Sequence, residues 1–259
     1  MELDIPKAKG FVQSIDLSGT PRSLVGQDAG ADAGIVFDKA KDQAQVIGSG
    51  LFSFQQGVEP EVRAAISDAA LLSQLHANKQ VKFEQDPEKW FGVYTEVLQN
   101  VGWVMQDLGW NDYSADGNQA EVNEKIIDLL TVALGAAPTA ILVITAAMKA
   151  LKDMNPNSPW ITLWSREVQK ANMARFQIGL VNMEDDGKNA RVNLVACILG
   201  AKSALTQVMF FKWKDAHAAF KAATRSASIN PSSAKALAPD IRSKIIAYQK
   251  DYLSSITDL

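Results

Sequence analysis

The sequence predicts an α+β fold: a helix-rich single domain with a C-terminal antiparallel β-meander and an apolar helical hairpin. Three observations predict it. From Pro60 onward, Val62, Ala65, Ile66, Ala69, Leu72 and Leu75 recur at helical spacing. In the last third the period drops to two, with Phe176, Ile178 and Leu180 alternating with Arg175 and Gln177 ahead of the turn EDDGK. Between these regions, Leu129 to Met148 runs twenty residues without a charge and is interrupted at its middle by Gly135 and Pro138.

Taken in order, residues 1–57 read as a turn-rich segment with short strands, because Gly, Asp, Ser and Ala dominate and the apolar runs (Gly10 to Leu17, Gly34 to Phe37, Gln45 to Phe54) are short. Residues 58–259 read as the helical and sheet body, forming one compact domain with that segment. The Pro60 helix extends to about Asn78, with proline in its first turn. Asp86 before Pro87 caps a second helix, lined by Trp90, Tyr94, Val97 and Val101 and ended by Gly102. Trp103 to Trp110 reads as a strand and Asp112 to Asn118 as a loop.

The charge-free stretch divides into helices of about Gln119 to Leu134 and Pro138 to Asp153. Proline inside a helix costs about 3 kcal/mol, whereas at the first turn of a new one it is nearly free. NPNSP is then a loop, and Ser158 with Pro159 opens a short helix to about Gln169. Strands follow near Phe176 to Leu180, Arg191 to Leu199 and Leu205 to Trp213. In the middle strand both faces are apolar after Asn193, as in a strand covered on two sides, which buries Cys197. Residues 216–229 carry no clear period, and Pro239 opens a last helix with Ile241, Ile245, Tyr248, Tyr252 and Ile256 on one stripe.

Composition narrows the function. With 259 residues, 47% of them apolar and 21% charged, the chain can hold a large core without staples. The 26 basic residues are scattered, and FFKWK (Phe210 to Lys214) is too short for a phosphate-binding stripe, so nucleic acid is not an expected partner. The first residues, MELDIPKAKG, lack the apolar core of a secretory signal, so synthesis in the cytoplasm is expected, with later release and membrane association left open.

Catalytic signatures are missing. Gly26, Gly30 and Gly34 do not form a dinucleotide fingerprint, and neither a phosphate loop nor a G-x-S-x-G elbow occurs. His76, His217 and Cys197 have no metal-ligand spacing, so no metal is expected. A Cys197–histidine nucleophilic pair is disfavoured, because LVACILG is the reverse of an electropositive setting. Six tryptophans near the ends of elements fit either a large core or a membrane belt, and the core reading is preferred.

The charge-free stretch is read first as a buried hairpin, and second as a conditional one that leaves the core for lipid; a single span with a mid-span proline fits least. Leu130, Leu134, Ile141, Leu142 and Ile144 are its candidate membrane-contacting or acyl-cavity residues.

The lone cysteine within NLVACILGA (Asn193 to Ala201), in the last third of an α/β body with no catalytic signature, resembles the Erwinia virulence factor family, whose members come from bacteria that infect insects. The resemblance is one of layout, and the N-terminal third does not align. It implies palmitate joined to Cys197 through a thioester, and membrane association through the acyl chain. No other cofactor is expected. The partners expected are membrane lipid or a fatty acyl chain. The plain alternative for Cys197 is an inert core residue. The leading reading is therefore a bacterial virulence or toxin-like protein that associates with membranes. The alternative is a soluble enzyme or ligand-binding protein with an apolar pocket around Cys197.

Overall fold

The computed structural model describes residues 3–20, 37–113, 127–128, 131–132, 138–153, 169–170, 173–200 and 219–254. Within them lie five helices and a seven-stranded sheet, an α+β arrangement. The helices are α1 (Ile5–Ser14), α2 (Pro60–Gln80), α3 (Pro87–Asn100), α4 (Pro138–Asp153) and α5 (Pro231–Ser254). The strands are β1 (Gln43–Ile47), β2 (Gly50–Phe54), β3 (Trp103–Tyr113), β4 (Gln169–Lys170), β5 (Met173–Met183), β6 (Ala190–Gly200) and β7 (Ala219–Ile229). The sheet order is β1-β2-β5-β6-β7-β3, with β4 paired to β5. All pairings are antiparallel except β2 with β5.

Local chemistry sets most of the boundaries. Asp86 caps α3 by accepting from the Lys89 N–H, and Pro87 sits in its first turn. Beyond α3, Gly102 takes a φ of +96°, a left-handed conformation suited to glycine, and the chain enters β3. α4 starts at Pro138, the residue expected to open the second arm of the hairpin. Of the first arm, residues 127–128 and 131–132 are helical. Leu130 and Leu134 lie outside the described residues, as do the expected 112–118 loop beyond Tyr113, the short helix before Gln169 and the strand at 205–213.

Two expectations are corrected, and a stretch left open takes a definite form. The segment 1–57 is not only turns and strands, because Ile5 to Ser14 is helical. Asp4 caps this helix by accepting from the Lys7 N–H, Pro6 lies in the first turn, and Ala8 and Val12, one turn apart, are its buried anchors. The apolar run Gly10 to Leu17 is therefore helix up to Ser14.

The described third strand of the meander is β7, in the stretch where no period was legible. It is rich in Ala, Ser and Thr and owes its strand state to partners on both sides, β6 and β3, with registers such as Ala196↔Ala223↔Trp110. Finally, the last helix opens at Pro231, and Pro239 lies inside it. Asn230 accepts from the N–H groups of Ser232 and Ser233, which makes Pro231 the first-turn proline.

The sheet has two faces. On the first, Phe52, Phe54, Val181, Leu194, Ile198, Ala227 and Ile229 join residues of α1, α2, α3 and α5 in one core. The second carries the alternate residues Leu51, Phe176, Ile178, Leu180, Val195, Cys197, Leu199, Phe220 and Ala222, all buried. Packing of α4 against β1 and β2 supplies part of the cover. Its buried residues Ile144 and Met148 are not part of the first-face core, which puts α4 on the second face.

Candidate functional site

The second face and α4 bring together part of the predicted set. Cys197 lies at the middle of β6, directly opposite Phe176 on β5 and Ala222 on β7. It is wholly buried, and burial pushes its thiol well above the ordinary cysteine range. A thiol held protonated among hydrocarbon side chains is a poor nucleophile. The surroundings are nevertheless suited to an acyl chain in their chemistry: Val195 and Leu199 flank Cys197 on the same face, beside Phe176, Ile178 and Ala222.

On α4, Ile144 and Met148 form the buried line, one turn apart, and Ile141 is half-buried beside it. Leu142 points outward at 66% exposure. The preceding helical fragment adds Val132 at 83% exposure, with the Thr131 hydroxyl tied back to the Ile127 carbonyl. The charge-free segment thus carries large apolar side chains on its outer side as well as on the side that faces the sheet.

The lateral placement differs from a simple cavity wall. α4 packs on β1 and β2, whereas the cysteine strand lies beyond β5 in the sheet order. At about 4.8 Å per strand, β6 is roughly 10 Å across the sheet from β2. Ile141 and Ile144 therefore lie on the same side of the sheet as Cys197 but outside its immediate neighbourhood, Leu142 points away from it, and sequence spacing carries no signal for that offset.

The first face holds polar groups that the sequence did not mark. Arg175 on β5 donates from Nη1 to Ser49 Oγ at 2.7 Å and from Nη2 to Asn78 Oδ1 at 2.6 Å. Its guanidinium stacks over Trp90 at 3.5 Å from the ring centroid. Trp90 Nε1 donates to the same Asn78 oxygen, and Gln74 accepts from both the N–H and the hydroxyl of Ser49. These residues join the β1–β2 turn and β5 to α2 and α3, the helices that cover the first face. Alternation with Phe176 and Ile178 placed Arg175 on the opposite face, but not its partners.

Of the histidines, His217 lies outside the described residues. His76 sits inside α2, which runs on to Gln80, and burial lowers its pKa. Among the described residues no group of three His, Cys, Asp or Glu side chains is placed to hold a metal ion. No helix among them is long and apolar enough to cross a membrane.

Native Cys197 is expected to react with a maleimide at least ~100-fold more slowly than the same thiol in denaturant, since labelling must wait for an opening of the sheet layer. Thiol-labelling kinetics measure this directly, and a rate equal to that of the unfolded chain would place the sulfur at the surface.

No family model matches the chain, and no curated protein matches it. Several solved structures do. The activated Cyt2Ba monomer from Bacillus thuringiensis subsp. israelensis is 16% identical, over 70% of this chain and 97% of that one, with a TM-score of 0.41. A delta-endotoxin is 14% identical, over 76% of this chain and 91% of that one, with a TM-score of 0.37. The Evf virulence factor is 10% identical, over 84% of this chain and 85% of that one, with a TM-score of 0.39. Likeness at this level does not carry an activity from those proteins to this chain.

Proposed function

We propose that the protein associates with membranes by lifting the charge-free helical layer from the second face of its sheet, in the service of a virulence or toxin-like role. One observation carries this reading: α4, which has no charge from Pro138 to Met148, rests on the two strands at one end of the sheet and keeps Leu142 in solvent. A layer seated at one end of the sheet can leave without breaking the pairing of β5, β6 and β7. Lipid then replaces the sheet as the apolar partner of Ile141, Ile144 and Met148, while Leu142 gains burial worth about 1.5–3 kcal/mol. The virulence role rests on the layout resemblance of the cysteine strand.

Acylation of Cys197 belongs to the same proposal. Lifting α4 bares the β1–β2 end of the second face, and a further opening over β6 would let the Cys197 thiolate displace the thiol of an acyl thioester donor. The new thioester forms at Sγ, and the donor thiol departs with the proton. Phe176, Val195, Leu199 and Ala222 would hold the chain when it is folded back, and release of the layer would hand it to lipid.

Vesicle flotation and dye leakage, at neutral and acidic pH, test the reading on protein from its native producer. Leu142→Glu alters an exposed site and so leaves the fold intact, but is expected to weaken vesicle binding about tenfold or more, as a charge entering hydrocarbon costs at least ~2.5 kcal/mol. Intact mass tests the acyl group separately. Wild-type protein that neither floats nor leaks at any pH ends the membrane reading, and an unmodified mass ends acylation.

A further inference from the structure

The interface between α2 and α5 contains a half-buried acid near a proline inside the α5 helix, and neither has a part in the proposed function. On α2, Glu61, Ala65 and Asp68 fall on one stripe at helical spacing, and the stripe faces α5. Lys235 of α5 pairs with Glu61 at 3.9 Å, and a small cavity between the helices is lined by Ala65, Ala69, Leu237 and Ile241 among others. Seven residues beyond Lys235, Arg242 faces Asp68, seven beyond Glu61. Between Lys235 and Arg242 comes Pro239. Lacking an N–H, it leaves the Lys235 carbonyl without its helical donor and makes this the weakest point of α5.

We propose that the part of α5 beyond Pro239 is a pH-sensitive strap, seated on α2 when Asp68 is protonated and loosened when Asp68 is ionised. The strap is held by Ile241, Ile245 and Tyr248 in the core, by the Lys9–Asp240 ion pair and by Lys244 donating to the Gln13 carbonyl. None of these groups changes charge between mildly acidic and neutral pH in an ordinary setting. Asp68 does, because burial pushes its carboxyl up to about 6 against a smaller opposing pull from Arg242. Other charges along α2 are engaged elsewhere: Glu96 of α3 faces His76, and Lys79 pairs with Asp16. β1 contributes no titratable side chain.

The sign follows from linkage. A carboxyl whose folded pKa is raised stabilises the folded arrangement fully below its unfolded pKa, and that contribution is lost as pH rises through the folded value. The strap therefore loosens on going from acidic to neutral conditions.

Hydrogen exchange of the full-length protein tests this. Corrected for intrinsic rates, amides from Ile241 to Gln249 are expected to exchange several-fold faster at about pH 8 than at about pH 5, while those of α3 hold steady. Asp68→Asn should erase the difference and leave the strap protected at both pH values. Arg242→Gln, at an exposed site, should move the loosening midpoint to higher pH, because it removes the pull that opposes burial at Asp68, so it decides the matter should Asp68→Asn fail to fold. Exchange beyond Pro239 that ignores pH, an unchanged pH dependence in Asp68→Asn, or a downward shift in Arg242→Gln overturns the proposal.

Discussion

Arg175→Ala is expected to lower the unfolding free energy by about 3–5 kcal/mol, from the cavity a long buried side chain leaves and the buried acceptors it strands. Ser49 Oγ loses the Nη1 donor, Asn78 loses the Nη2 donor, and Trp90 loses the cation stacked on its face. The truncation also leaves a void the size of the long side chain between β5 and α3. Arg175→Lys should recover little, because one ammonium cannot bridge Ser49 and Asn78 as a planar fork does while lying flat on an indole. Arg175→Met should recover more, because it fills the space without bringing a charge that needs partners. Urea unfolding of the three variants, followed by tryptophan fluorescence, gives the order. If Lys proves better tolerated than Met, charge alone rather than fork geometry holds the network.

This network lies among the parts of the molecule that were not legible in the sequence, and the reasons are physical. Helix starts at Pro60, Pro87 and Pro138 could be read because proline with a helical apolar pattern behind it leaves few alternatives. The same rule failed at Pro239, because an earlier proline, Pro231, had the better cap in Asn230. α1 escaped notice since ten residues with two buried anchors make too short a pattern to stand out from turns. β7 is built of small residues whose strand state comes from its neighbours, a tertiary cause with no local signature. Burial of Cys197 was readable from a strand apolar on both sides. The seat of α4 on β1 and β2 was not, because order along a chain says nothing about lateral position in a sheet, and the parallel pairing of β2 with β5 joins segments more than a hundred residues apart.

Gly179→Ala is expected to cost about 2–3 kcal/mol through overpacking, a large effect for one added methyl group. The residue lies on β5 opposite Phe52 of β2, and a Cβ there would stand 2.6 Å from Phe52 Cδ1 and 2.7 Å from Cε1. Phe52 is wholly buried in the first-face core, so its ring cannot swing away without disturbing Phe54 and the α2 side chains packed with it. Strand preference alone would favour alanine over glycine by about half a kcal/mol, so the steric term decides the sign. Phe52→Leu alone should cost about 1–2 kcal/mol as a volume loss, yet in the double variant the smaller side chain makes room for the new methyl. A double-mutant cycle should therefore show a favourable coupling of about 1–2 kcal/mol. Additive costs would mean that the β2–β5 contact relaxes elsewhere, and that the parallel seam anchoring the β1–β2 platform beneath α4 is softer than its packing indicates.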